Sequence, residues 1–134
     1  MRIYKLFLAS IVALIIANWI WSYNPRVSEL NDLLSKDVEL VNYPYKFKVI
    51  SVENGRAIMS SPRSPEVSVL IFISIIKPEL EGMNPDSPEV IAVQKELAEI
   101  QSKAKKIILN QDDINSVSWE IDKLWFADHG VSVW

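Results

Sequence analysis

From Leu6 to Trp21 the chain carries no charge, and Ser10 and Asn18 are its only polar side chains. A run of sixteen such residues lies near the lower limit for crossing a bilayer as a helix. Lys5 can extend its stem along the helix and keep its ammonium in water. Trp19, Trp21 and Tyr23 suit the opposite interface. Arg2 and Lys5 precede the run, so the positive-inside bias keeps that end cytoplasmic and sends the remainder across. The run therefore predicts a transmembrane signal anchor over residues 1–24, in a single-pass protein of the bacterial inner membrane with its C-terminal domain in the periplasm. A cleaved signal peptide and a buried helix are the competing readings. Bulky aromatics, and no A-x-A-like site, follow the run.

Charge divides sharply at the same point. All 17 acidic residues follow residue 24, and with 12 basic residues they give the rest of the chain a net charge of −5. An acidic domain is a poor partner for nucleic acid, and none is expected. With no cysteine and one histidine, thiolate or multi-histidine metal sites, disulfides and cysteine nucleophiles are excluded. No N-x-S/T sequon marks a glycosylated ectodomain.

Past Pro25, the segment SELNDLLSKD predicts a short stalk helix within 25–37, opened by Ser28, with Leu30, Leu33 and Leu34 on one side. Residues 38–134 read as one α+β domain. YKFKVISV alternates as a strand, Asn54-Gly55 is a strong hairpin turn, and Arg56 to Met59 returns. Val38–Val41 reads as an added edge strand, limited by Pro44.

The tetrapeptide SPEV occurs twice, at Ser64–Val67 and Ser87–Val90. Serine is a good N-cap, proline fits the first helical position, and glutamate meets the positive end of the helix dipole. Each copy thus predicts a helix start. After the second, Val90, Val93, Leu97, Ile100, Ala104 and Ile107 recur at helical spacing, predicting a helix to about Leu109. After the first, VSVLIFISII is β-branched enough to be a buried strand, yet its Ser-Pro-Glu start favours a helix ended by Lys77-Pro78. Val117, Trp119 and Ile121 share a strand face, Asp122 can cap KLWFADH, and Val131–Trp134 could form a last short strand. The expected fold is an N-terminal transmembrane helix followed by a small antiparallel sheet packed with two main helices.

The stretches YPYKFKVISVENGRAIMSSPRS, VQKELAEIQSKA and VSWEIDKLWFADHG resemble a group of short, membrane-anchored proteobacterial envelope proteins. Some of these bear the label glutamate–ammonia-ligase adenylyltransferase. That activity implies a Gly-Ser phosphate loop and paired metal-binding aspartates. The chain has no Gly-Ser pair, and its one acidic Asp-Asp doublet, Asp112-Asp113, points two ways from an extended backbone. The order strand, Asn-Gly-type turn, strand, helix, strand is also similar to the BON domain, which implies an α+β envelope module.

Three groups of residues are candidates for a site. Ser61, Arg63 and Ser64 could hold a phosphate or carboxylate, as the Ser60–Ser64 loop of an anion-binding hydrolase or transferase would require. Against this stands a cap beside a solvated arginine. His129 with Asp128 and Ser132 lacks the spacing of a hydrolytic triad. Trp119, Trp125 and Phe126 could stack on a ligand, or form core, and Trp125 with Trp134 are the candidate partner surface. The expectation is a non-enzymatic protein, without cofactor or metal, whose exposed domain binds or positions another envelope protein.

Overall fold

The computed structural model describes residues 2–22 and 24–133, with side chains omitted at 18–22. The first element is helix α1, Arg2–Ser22. Every side chain described along it, from Arg2 to Ala17, is exposed. Among the described residues, no helix is long and apolar enough to cross a membrane. This corrects the expected transmembrane anchor, and with it the single-pass, inner-membrane placement. Of the 21 residues of α1, the sixteen with described side chains, Arg2–Ala17, rise about 24 Å as a helix, short of the roughly 30 Å hydrocarbon core, and include Arg2 and Lys5. The interfacial roles expected of Trp19, Trp21 and Tyr23 lie outside the described side chains.

Helix α2, Pro25–Ser35, starts three residues before the expected Ser28. Asn24 is its cap, accepting from the Arg26 N–H, and Pro25 takes the first turn, where it forfeits no bond. Leu30 and Leu34 are its buried stripe. The expected edge strand at Val38–Val41 is instead a short helix, α3, Val38–Asn42, because the Asp37 carboxylate caps it through the Leu40 N–H.

Strands β1, Val49–Glu53, and β2, Arg56–Ser61, form the expected hairpin. Its turn has positive φ at both Asn54 (50°) and Gly55 (79°), as a two-residue connection requires. Helix α4, Val69–Ile76, makes the last eight residues of the apolar decapeptide helix and not strand. A 3₁₀ turn at Pro78–Leu80 leads on to α5, Pro88–Leu109, then β3, Ser116–Ile121, and α6, Lys123–Asp128. Residues 131–133 are not a strand, contrary to expectation.

The sheet order is β1-β2-β3, with β1 antiparallel to β2 but β3 parallel to it, in the register Arg56↔Ser116 to Ser61↔Ile121. The sheet is therefore mixed, not antiparallel. Parallel neighbours need a long crossover, and α4 with the 22-residue α5 supplies it. That crossover returns the chain to the hairpin turn, where Gly55 O accepts from Asn115 N at 2.7 Å. One sheet face, with Val49, Ala57, Met59 and Val117, joins the core against Leu30, Phe72, Leu97 and Ile108. The opposite face carries Ile50, Arg56, Ser116 and Glu120, all exposed, and only Ser60 is buried there.

Only the second SPEV opens a helix as expected, and in neither copy does the serine hydroxyl cap one. Ser64–Val67 is a turn: Val67 N donates to Ser64 O at 3.2 Å and Glu66 N to Ser64 Oγ at 3.3 Å. Proline favours the second position of such a turn, and closing it buries Val67. The helix begins later, at Val69, capped by Ser68 through Leu70 N at 3.2 Å. Ser87 does precede α5, with Pro88 in the first turn, but its hydroxyl is buried and makes no hydrogen bond.

Candidate functional site

The open sheet face ends in a cleft of about 280 Å³, between the start of β1 and the start of α6. Its exposed apolar residues are Ile50, 44 % exposed, and Leu124, 75 % exposed, with the partly buried Ile121 between them in the lining. Lys48, Lys123 and Glu120 stand around them. Local rules place each. Lys48 and Ile50 alternate with the buried Phe47 and Val49, so both point away from the core. Lys123 and Leu124 occupy the first turn of α6, whose inner side is given to Phe126.

A polar network lies beneath. The Tyr45 hydroxyl donates to Asp122 Oδ2 at 2.8 Å, while Asp122 Oδ1 accepts from Trp125 N at 3.1 Å. Ser60 is tied to the neighbouring strand: Lys48 N donates to Ser60 Oγ at 3.2 Å, and Ser60 N to Lys48 O at 2.9 Å. Burial holds the Tyr45 hydroxyl well above the ordinary phenol value; Ser60 opposes this and the Asp122 carboxylate reinforces it. Tyr45 is thus a fixed donor at neutral pH. The carboxylate that could act as a base already serves as a helix cap, and the serine that could act as a nucleophile is 1 % exposed. The arrangement fixes α6 on the sheet and leaves the cleft floor without a free catalytic group among these residues.

The expected anion site does not converge. Ser61 is fully buried and donates its hydroxyl to Gln101 Oε1 at 3.3 Å. Its Oγ also accepts from Arg63 N at 3.2 Å, so the loop's own backbone occupies it. Arg63 is exposed, and Ser64 Oγ closes the turn described above.

Trp125 is half-buried. It packs edge-on to Tyr45 at 5.5 Å and Phe126 at 5.1 Å, and lies 5.3 Å from Phe72 between ring centroids. It also lies 4.2 Å from the His129 ring, whose Nδ1 is 2.7 Å from Trp125 O. Trp125 is therefore chiefly a core residue with one edge in solvent, and Trp134 lies outside the described residues. The sequence reading missed Leu124, the more exposed neighbour of Trp125. Its signal was available: the second residue of a short capped helix, one position before the aromatic pair that faces inward.

No protein-family model, curated protein or solved structure matches the chain.

Proposed function

We propose that residues 24–133 form a non-catalytic binding module that holds a protein partner on the open face of its sheet. The observation that carries this reading is the pairing of two exposed aliphatic side chains, Ile50 and Leu124, in one cleft with a charged rim. An apolar centre inside a polar rim is the common anatomy of a protein interface. The buried state of Ser60 and Ser61, and the engagement of Asp122, argue against hydrolysis or group transfer at the same place.

Site-specific photocrosslinking in cells tests the reading. A photoreactive residue at Leu124 should give one discrete adduct, and the same probe at Glu99, on the outer side of α5, should not. A charge introduced at Ile50 should abolish the adduct while the far-ultraviolet spectrum and melting temperature stay near those of the parent. Equal adducts from both probe positions would refute a dedicated surface.

A further inference from the structure

A second cleft, of about 390 Å³, opens on the other side of Lys48, between α2, α3 and the segment leading into β1. Its floor is apolar and buried: Leu34, Leu40 and Phe47 are 4 %, 5 % and 6 % exposed. Val41, 45 % exposed, forms one wall. The charged residues lining it are Lys46 and Lys48, with no carboxylate among the lining residues. On a domain of net charge −5 this is a local reversal of sign.

The polar groups around the cleft are mostly committed. Ser35 Oγ donates to Asp32 O at 2.7 Å. The Lys46 ammonium donates to Val41 O and to Tyr43 O, so it sits at the rim as a fixed positive charge without a counter-ion. Neither Lys46 nor Lys48 enters an ion pair among the described residues. Asn31 spends both ends of its amide on β1: Val49 N donates to Oδ1 at 2.7 Å, and Nδ2 donates to Val49 O at 3.1 Å. That amide occupies the strand edge where an incoming peptide strand would pair. The cleft suits a compact guest instead of an added strand.

We infer that this cleft binds an amphiphilic carboxylate, a single acyl chain whose apolar body lies on Leu34, Leu40 and Phe47 and whose carboxylate meets Lys46 and Lys48. Its volume falls within the usual range for small-ligand sites, and a few polar groups at the mouth of an apolar cleft are what orient such ligands. Two rim ammoniums favour an anionic head and disfavour a cationic one. The inference is independent of the partner surface, with which this cleft shares only Lys48.

Photolabelling of the full chain with decanoate bearing a terminal diazirine tests it, with the labelled residues mapped by mass spectrometry. Labelling should concentrate in residues 31–48 and be displaced by unmodified decanoate, but not by decyltrimethylammonium at the same concentration. Lys48→Glu should lower it about tenfold or more, as loss and reversal of one charge contact implies. Val41→Trp, at a position already half in solvent, should block it without touching either lysine. Labelling spread along α1, equal competition by the cationic amphiphile, or undiminished labelling in both variants would overturn the assignment.

Discussion

Three serines near the expected helix starts do three different things. Ser68 Oγ accepts from Leu70 N and so caps α4. Ser64 Oγ closes a turn, and Ser87 Oγ has no partner although buried. Ser68→Ala should therefore destabilise the fold by about 0.5–2 kcal/mol, the usual loss for a serine cap. Ser87→Ala removes an unsatisfied hydroxyl from a buried position and should leave stability equal or slightly higher. Chemical denaturation of the two variants side by side checks both, and a larger loss at Ser87 than at Ser68 would contradict the hydrogen-bond assignments. Gly55 is a further residue-scale constraint. Its φ is +79°, and a Cβ there would fall 2.5 Å from the Asn115 side chain. Gly55→Ala should cost on the order of 1–3 kcal/mol through backbone strain, with Asn115 displaced, read as a lowered denaturation midpoint at unchanged slope.

Helix α2 is joined to the rest of the domain by two side-chain fasteners. Asn31 holds β1 through both backbone groups of Val49. Arg26 grips Asp113 with two parallel bonds, Nε to Oδ2 at 2.8 Å and Nη2 to Oδ1 at 2.6 Å, and also reaches Glu29 at 3.0 Å. Asn31→Ala leaves a partly buried strand edge unpaired and should cost about 1–3 kcal/mol. Faster amide hydrogen exchange at Val49 than at Ala57 would localise the loss, and unchanged exchange at Val49 would contradict it. The Arg26 fork is surface-exposed, so Arg26→Ala should have a smaller effect that shrinks as salt is added. Neither fastener was legible in the sequence, since their partners lie 18 and 87 positions away. Helix α5, by contrast, was legible in its extent and in its buried stripe from Val90 to Ala104, although Ile108, and not the expected Ile107, is the buried residue of its last turn.

Acid should loosen the molecule as a whole. The Arg26 guanidinium, through its hydrogen bonds, holds the Asp113 carboxyl below its ordinary value of 3.8. For Asp37, burial pushes upward, but the Leu40 N–H and the Lys103 ammonium together bring it below 3.8. A carboxyl depressed in the folded state contributes stability that is full above the unfolded value and fades as pH falls through the folded one. Denaturation midpoints should accordingly hold steady at neutral pH and drop as pH falls below about 4. Asp37→Asn combined with Asp113→Asn should flatten that acid limb while lowering the neutral plateau. An unchanged acid limb in the double variant would assign the loss to other carboxylates.

What the chain determined by itself is local. The hairpin at Asn54-Gly55, the cap at Asp122, the start of α5 at Pro88, the end of α4 at Lys77-Pro78 and the amphipathic stripe of α5 all rest on residues within a few positions of each other. Tertiary structure decided the rest. The direction of β3 depended on where a long crossover set the chain down, and pinning at Gly55 O made it parallel to β2. Val38–Val41 is a further local case, a helix capped by Asp37 three residues before Leu40, whereas the first SPEV closed into a turn that buries Val67 in the core. Ser61 lost its place in an anion site to Gln101, forty residues away, and Ile50 met Leu124 only across the finished sheet. Local signals depend on bonds that neighbouring residues can make unaided. Strand direction, burial and the meeting of distant side chains depend on closing long loops, whose outcome is set by the packing that offsets their entropy.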